Sequence, residues 1–349
     1  GKGDYLLSDD ERANLELLGK TFDNVVVVLN VGGIIDTKFF SEINGLDSML
    51  LMSQAGMTGG DALVEVLNGT VNPSGKLTDT WPVNFDDNPS SAGFANEDKN
   101  NAQELYNDDI FVGYRYYDTF GKDVSYEFGY GGSYTTFAMQ TQSVTADKDK
   151  VTVKVKVKNT GSVSGKEVAE VYFSAPEGNL DKPYQELAAY QKVEVKAGET
   201  KEVTLSFDTD EMASYDENKE QYVLEDGTYK IRVGNSSRNT VEAADISLDK
   251  DVVTEKAANA LGMTKDKMQA GTYTADHVVA KGGAYKMDIL DEKSTGYGTG
   301  ITPTTEGLSA AKASLSLAAS SFEKTETHAY TDGKVTSYIS EDTTTDSNA

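Results

Sequence analysis

The sequence contains no cysteine and only two histidines, His277 and His328, among 349 residues. Without thiols, no disulfide framework, thiolate nucleophile, zinc–thiolate site or iron–sulfur cluster can form. Both histidines lie in the last quarter of the chain, which excludes a Ser-His-Asp triad or a histidine-rich metal centre from the first three quarters. Any hydrolytic chemistry must therefore use carboxylates, and no cofactor or metal is implied.

Basic residues are also scarce, since 32 Lys and Arg stand against 57 Asp and Glu, a formal net charge of −25. Nucleic-acid binding and docking on an anionic membrane both need clustered lysines and arginines, so neither partner is expected. The most apolar stretch, residues 25–35, is interrupted by Asn30 and two glycines and is far shorter than the ~20 residues of a membrane span. The chain starts at Gly1 without methionine or a signal-peptide pattern, which suggests a processed or excised piece.

The first third of the chain has the pattern of an α/β domain. Ser-Asp-Asp-Glu from Ser8 is a capping box and predicts the start of a helix. Residues 25–29 (VVVVL) form a continuous β-branched run, typical of a strand covered by helices on both faces. A second apolar run at 49–52 leads through glycines into a predicted helix at 61–67, which Gly69 closes.

After Phe137 the pattern changes to apolar and polar residues that alternate with period two, most clearly in residues 151–157 (VTVKVKV). Turn signals separate further predicted strands at 168–173, 193–195, 203–207, 222–224 and 228–233. Short strands at this spacing predict a β-sandwich. The alternating lysines, Lys154, Lys156 and Lys158, are interpreted as a solvated strand face that also discourages edge pairing.

The pattern weakens in the last hundred residues. Residues within 245–262 are compatible with a short helix. Residues 271–349 are rich in Thr, Ser, Gly and Ala, a composition that favours a linker or partly disordered chain. A small third β-domain is the alternative, supported by short alternating segments and an Asp-Gly turn at 332–333.

Four segments of the α/β part resemble a known family. Residues 59–69 (GGDALVEVLNG) and 71–77 (VNPSGKL) are similar to the C-terminal α/β sandwich domain of family 3 glycoside hydrolases, the β-glucosidase type. Residues 110–118 (IFVGYRYYD) and 128–137 (FGYGGSYTTF) resemble the two signatures that close that domain. The resemblance implies an α/β sandwich, an open and mostly parallel sheet with helices on both faces, at 1–138.

The β-rich part resembles the fibronectin type III-like domain that follows in the same family. The matching residues are Asn159-Thr160-Gly161, 165–168 (GKEV), Tyr172, Pro183, Glu186-Leu187 and 233–237 (VGNSS). The resemblance implies an all-β immunoglobulin/fibronectin-like sandwich at 145–245. Residues 246–349 are left as a polar, Ser/Thr-rich segment that forms a linker or a small extra domain.

The resemblance also implies a reaction. Such enzymes are retaining hydrolases that remove terminal β-linked sugars from oligosaccharides or glucosides, with an Asp nucleophile on a (β/α)8 barrel and a Glu acid/base on a loop of the α/β domain. This sequence shows no eightfold strand–helix alternation of about 250 residues. Its start at Gly1 lies just past the acid/base segment, or inside it with Lys2 in place of the glutamate. The resemblance therefore assigns no catalytic residue in this sequence. The barrel is expected either in the same polypeptide or in a separate one.

Four residues are candidates for substrate contacts: Trp81, Asp108, Asp109 and Arg115. The two aspartates precede the Gly-Tyr-Arg-Tyr-Tyr signature. At the position of Asp108 the family more often has Glu. The aspartates either face an inter-domain cleft, or they fix a turn and pair with Arg115. Arg115 suits stacking on neighbouring tyrosines or a structural ion pair. Trp81 either stacks on a sugar ring or fills the domain core.

Exposed tyrosines on the sandwich are another possible glycan-binding face. The strand pattern favours a core position instead for four of them, Tyr172, Tyr190, Tyr222 and Tyr229.

Two other functions stay open. The chain is either a stand-alone, non-catalytic glycan-binding or structural module that has lost the barrel, or a subunit whose barrel comes from a separate polypeptide. Residues 29–36 (LNVGGIID) look most like bacterial members in which the sandwich domains precede the barrel. The acidic surface favours an extracellular or cell-surface location over a cytoplasmic one. An exposed apolar patch on the α/β domain would favour a docked barrel over the stand-alone module.

Overall fold

The computed structural model describes residues 3–91, 108, 110–257 and 307–322, together with the backbone of four short strands between 325 and 340. Five elements alternate in the first part: α1 (Asp9–Thr21), β1 (Val26–Leu29), α2 (Lys38–Glu42), β2 (Ser48–Leu51) and α3 (Gly59–Leu67). Strands β1 and β2 pair in parallel. Helix α1 begins with the predicted capping box, in which the Ser8 hydroxyl accepts from the Glu11 N–H at 3.3 Å and the Glu11 carboxylate accepts from the Ser8 N–H at 2.8 Å.

A second group of elements follows α3: β3 (Trp81–Pro82), α4 (Tyr114–Thr119) and β4 (Val124–Tyr126). Strands β3 and β4 pair antiparallel. The core of this α/β part is built on four buried residues, Leu29, Phe39, Ile43 and Trp81. Strand β1 is less covered than its continuous apolar run predicts, because only Leu29 among its four residues is buried.

The sandwich has two main sheets. Eight strands from its first part are β5 (Phe137–Ala146), β6 (Lys150–Asn159), β7 (Gly165–Ser174), β8 (Glu186–Val195), β9 (Thr200–Asp208), β10 (Ser214–Asp216), β11 (Gln221–Leu224) and β12 (Gly227–Ser236). Four more are β13 (Asn239–Leu248), β14 (Val252–Lys256), β15 (Leu308–Ala310) and β16 (Ala313–Leu317). The strand orders are β16-β13-β12-β7-β8 and β15-β5-β6-β9, and β10-β11-β14 forms a smaller third sheet.

The last four strands form two antiparallel pairs. They are β17 (Thr325–Thr327), β18 (Tyr330–Thr331), β19 (Lys334–Val335) and β20 (Tyr338–Ser340). Strand β17 pairs with β20, and β18 pairs with β19.

The period-two alternation predicted the sandwich correctly, since β6, β7, β8, β9, β11 and β12 all fall on predicted strands. Two expectations are corrected, and a long strand was missed. The part of 245–262 that the structure describes is strand and turn rather than helix. Strand β6 lies between β5 and β9, so its three lysines cannot protect an edge. Strand β13 was missed because its apolar residues do not alternate cleanly.

The predicted domain boundaries stay predictions. Strand β5 runs across the predicted gap between 138 and 145, and β14, β15 and β16 come from the predicted polar segment yet pair with the sandwich. The possible third β-domain at 271–349 lies mostly outside the described residues.

A buried ion pair joins the α/β part to the sandwich. Arg238, in the turn between β12 and β13, donates through Nε to the Asp118 carboxylate of α4 at 2.9 Å. Both side chains are at most 2% exposed. Arg238 also donates to the Lys122 carbonyl at 2.7 Å, and Gln185 donates to the second Asp118 oxygen at 3.2 Å. The charges are thus paired and further hydrogen-bonded, the condition under which a buried pair is tolerated.

Backbone groups complete the contact between the two parts. The Tyr184 N–H donates to the Thr119 hydroxyl and the Leu187 N–H donates to the Tyr114 hydroxyl, both at 2.8 Å. Helix α4 is therefore held by hydrogen bonds from the segment that leads into β8 as well as by the ion pair.

Gly129 lies at a close approach between the two parts. The Ser237 N–H donates to the Phe128 carbonyl at 2.9 Å, and a Cβ added to Gly129 would lie 2.8 Å from the Ser236 Cα and 3.0 Å from the Glu170 carboxylate. Gly129 also has a φ of +83°, in the left-handed region. Glycine is required here for both reasons.

Three buried glutamates, Glu127, Glu167 and Glu170, lie at the same interface. Lys76 is 3.0 Å from Glu167, and Tyr172 donates its hydroxyl proton to Glu170 at 2.6 Å. Burial raises the pKa of Glu170 to about 7, although the Tyr172 hydrogen bond and the Lys76 charge oppose the shift. Burial raises the pKa of Glu127 as well. The interface therefore favours a proton on Glu170 at mildly acid pH.

We expect Arg238→Met to lower the free energy of unfolding by about 3–5 kcal/mol, because it leaves Asp118 buried without its partner. Urea denaturation measures the loss. The matched control is Arg12→Met, since Arg12 pairs with Glu42 at the same 2.9 Å but both side chains are 42–47% exposed. The control should lose less than about 1 kcal/mol. Equal losses in the two variants would contradict the role given to the buried pair.

The raised pKa of Glu170 predicts a pH dependence. Between about pH 4.5 and 7 the native state holds a proton that the unfolded chain releases, so stability falls as pH rises through that window. Glu170→Gln removes this contribution. As the pH rises across the window, the unfolding free energy of the wild type should therefore fall by about 3 kcal/mol relative to that of the variant. Urea denaturation from pH 4 to 8 measures it. Glu202→Gln, on the exposed face of β9, is the control, and a pH-independent difference for Glu170→Gln would refute the prediction.

Candidate functional site

A cavity of about 750 Å³ opens in the α/β part. Its walls come from the segment before α1, the strand and loop at 78–91 and the residues that lead into α4. Six aromatic residues line it: Tyr5, Phe85, Phe111, Tyr114, Tyr117 and Phe128. The carboxylates of the lining are Asp79 and Asp108. A largely aromatic wall with a few polar groups is typical of a small-molecule site.

Three polar atoms on the lining residues are buried and have no hydrogen-bond partner among the described residues. They are the Tyr5 hydroxyl, Thr80 Oγ1 and Asp108 Oδ1. Buried polar atoms are nearly always satisfied in native structures, and leaving one unsatisfied costs about 1–3 kcal/mol. Three such atoms around one cavity mark a place where a ligand with several hydroxyl groups would gain hydrogen bonds.

The protonation states of the lining follow from burial. Burial raises the pKa of Tyr5 to about 12, with the charges of Asp36 and Asp87 acting in the same direction. Tyr5 is therefore a neutral hydroxyl at physiological pH, able to donate and to accept. Burial also raises the pKa of Asp108, and a hydrogen bond from Ser90 opposes that shift. The cavity thus offers uncharged donors beside one partly desolvated carboxyl group.

The structure brings two of the four predicted site residues together, since Asp108 and Arg115 both line the cavity. Arg115 also reaches the sandwich, where its Nη1 lies 3.4 Å from a Glu186 carboxylate oxygen. Trp81 is only 5% exposed and packs in the α/β core, so it leaves no open ring face for a sugar. Asp109 lies outside the described residues.

Sequence reasoning missed Tyr5 and Thr80. Tyr5 is three residues before the capping box, and Thr80 directly precedes the single tryptophan, but neither position carries a motif. The signal that distinguishes both residues is a buried hydroxyl without a partner, which appears only in three dimensions.

The interpretation of the sandwich tyrosines is half right. Tyr172 and Tyr229 are buried as expected, whereas Tyr190 is 71% and Tyr222 is 41% exposed. Tyr222 instead contacts Tyr215, with ring centroids 5.1 Å apart, on the small third sheet.

Within the described parts of the chain, no group of three or more His, Asp or Glu side chains is placed to hold a metal ion. No helix in those parts is long and apolar enough to cross a membrane. Both histidines lie outside them.

Comparison with known proteins agrees with this architecture. Residues 2–114 match the family model described as glycosyl hydrolase family 3 C-terminal domain, and residues 167–237 match the fibronectin type III-like domain. Beta-glucosidase A of Butyrivibrio fibrisolvens is 37% identical over 298 residues, which cover 78% of this chain and 36% of that protein. The exo-alpha-(1->6)-L-arabinopyranosidase of Bifidobacterium breve is 37% identical over 244 residues, which cover 69% of this chain and 31% of that protein.

A solved structure gives the same result. Beta-glucosidase 3B from Thermotoga neapolitana, in complex with glucose, superimposes with a TM-score of 0.68 at 40% identity, over 72% of this chain and 36% of that one. The chain therefore belongs to glycoside hydrolase family 3, of which it carries the C-terminal α/β sandwich domain and the fibronectin type III-like domain. It spans about a third of the length of the relatives it matches. No (β/α)8 barrel is present in the residues that the structure describes.

The unpartnered hydroxyl of Thr80 gives a test of the cavity. Thr80→Val keeps the branched shape and removes an unsatisfied polar atom, so we expect the free energy of unfolding to stay equal or to rise by about 1 kcal/mol. Thermal unfolding measures it. Thr141→Val is the matched control, because Thr141 Oγ1 is also buried without a partner but lies in β5 of the sandwich. A loss above about 1 kcal/mol at Thr80 would mean that the hydroxyl already has a structural partner.

Proposed function

We propose that this chain is the C-terminal part of a retaining, β-glucosidase-type hydrolase that cleaves terminal β-linked sugars from oligosaccharides or glucosides. The observation that carries the proposal is the match of the α/β and sandwich domains together to β-glucosidases, over more than two thirds of this chain. The nucleophile then lies on a barrel supplied in cis or in trans, and two carboxylates about 5–5.5 Å apart perform the displacement. The described residues supply one wall of the sugar site.

Exposed apolar surface on the α/β part supports this proposal over a stand-alone module. Helix α1 has no buried residue, and Leu17 and Phe22 are 63% and 57% exposed. On α3 only Gly59 is buried, and Val64 is 58% exposed. Strand β1 adds Val26 at 47%. Apolar helix faces and a strand run of this kind are normally covered, so further polypeptide packs here in the working protein.

Under this proposal, the residues that line the cavity bind the sugar and take no catalytic role. Aromatic rings pack against the CH faces of a pyranose, while Tyr5 and Thr80 hold hydroxyl groups free for hydrogen bonds. Asp108, which also lines the cavity, accepts hydrogen bonds from sugar hydroxyls under this proposal. These contacts fix the orientation of the sugar, which is how a wall of this type contributes to rate.

Activity assays test the proposal directly. The native polypeptide from the source is weighed by intact mass spectrometry and assayed with aryl β-glucosides, and the chain is assayed alone. We expect a native mass above 37.6 kDa by about that of a (β/α)8 barrel, turnover by the native protein and none by the chain. An aryl α-L-arabinopyranoside in the same panel resolves the sugar preference, since one relative carries that activity in its name. Turnover by the chain alone, or none by a barrel-containing protein, would refute the proposal.

A second candidate is a non-catalytic glycan-binding module, favoured by the three unsatisfied atoms of the cavity. Under this alternative the chain alone binds glucose or cellobiose, and Thr80→Val weakens binding up to about tenfold through one lost hydrogen bond. Saturation-transfer NMR and calorimetry measure it, with Thr141→Val as the control that leaves binding unchanged. A native mass of 37.6 kDa together with such binding would favour the module over the hydrolase.

A further inference from the structure

Residues 307–322 return to the sandwich and add one strand to each main sheet. Strand β15 pairs with β5, with Leu308 opposite Met139, and β16 pairs with β13 over five residues from Ala313 to Leu317. Both additions are parallel, whereas every other pair in the two sheets is antiparallel. A connection of about 50 residues separates them from β14.

The inserted strands present apolar side chains to the core in strict alternation. In β16, Leu315 and Leu317 pack against the core while Ser314 and Ser316 are exposed. Leu308 of β15 packs against the same cluster. The segment thus fills the open end between the two sheets, where the unpaired edges of β5 and β13 would otherwise meet water.

Polar contacts fix the segment at both ends. Lys312 Nζ lies 2.7 Å from a Glu242 oxygen and 2.9 Å from an Asp245 oxygen. The Ala319 N–H donates to the Asp249 carboxylate at 2.7 Å. All three acceptors belong to β13 or to the turn after it, so β13 determines where the segment docks.

The remaining strands pair completely without this segment. The orders β13-β12-β7-β8 and β5-β6-β9 are continuous without β15 and β16. We propose that the edges of β5 and β13 form a strand-acceptor site for an extended segment with apolar residues at alternate positions, and that residues 307–322 occupy it as a separable clasp from the same chain. Main-chain hydrogen bonds supply the affinity and the alternating pockets supply the specificity.

In the structure the clasp comes from the same chain, and its Lys312 bridges the carboxylates of Glu242 and Asp245 on β13. A connection of about 50 residues can nevertheless extend to roughly 170 Å, long enough to reach a neighbouring molecule. The oligomeric state therefore has to be part of the test.

Specific cleavage of the full-length chain provides the test. A recognition site for a sequence-specific protease is inserted between Lys281 and Gly282, the chain is cut, and the product is passed over a size-exclusion column. We expect the fragment that carries residues 307–322 to co-elute with the sandwich, as a 1:1 pair of the mass of one chain. In Leu315→Glu the fragment should dissociate at least tenfold more readily, because a charge then enters the apolar core.

Ser316→Glu is the matched control, since the neighbouring side chain points to solvent and its fragment should stay bound. Release of the wild-type fragment after cutting would overturn the proposal, and so would retention of the Leu315→Glu fragment. An uncut chain that elutes as a dimer, with Leu315→Glu restoring the monomer, would overturn the same-chain clasp in favour of strand exchange. Circular dichroism of uncut Leu315→Glu, with the sandwich signal retained, separates loss of the clasp from loss of the fold.

Discussion

The buried pair of Asp118 and Arg238 is the contact on which the arrangement of the two domains depends. Isolated buried charges are not tolerated in a protein interior, so each of these side chains requires the other domain to be present in this position. The surrounding hydrogen bonds to α4 are directional. The lack of a side chain at Gly129 determines how closely the sandwich approaches the α/β domain. The result is an interface with one permitted geometry.

That geometry extends to the cavity. Helix α4 carries Asp118 and Thr119 toward the sandwich, and three of its other residues, Tyr114, Arg115 and Tyr117, line the cavity. The fibronectin-like domain therefore fixes the position of this cavity wall through its contacts with α4. This gives the sandwich a function in the site although none of its strands contributes to the lining.

Local signals predicted the local structure well. The capping box at Ser8, the alternation in β6 and the glycine-closed helix α3 all involve residues close in sequence, and all were found where expected. The family resemblance was also correct, because its motifs are short and contiguous. Of the candidate residues that line the cavity, Arg115 belongs to the signature at 110–118 and Asp108 lies just before it.

Long-range features could not be predicted in the same way. Strands β15 and β16 are only three and five residues long, and they become strands by pairing with β5 and β13, which lie far away in the sequence. The unsatisfied hydroxyl of Thr80 and the exposure of Val26 depend on what does or does not pack against them. A β-branched run indicates burial, but the partner that buries it is not encoded in the run itself.

The 120-residue separation between Asp118 and Arg238 has a consequence for synthesis on the ribosome. At 5–20 residues per second, α4 is made roughly 6–24 s before its ionic partner. During that interval the Asp118 carboxylate of the α/β part has no cation to pair with. Helix α4 therefore cannot complete its packing against the sandwich. The hairpin of β12 and β13, in contrast, forms its own turn locally and presents Arg238 as soon as it closes. The domain that is translated second therefore provides the template on which the first is completed.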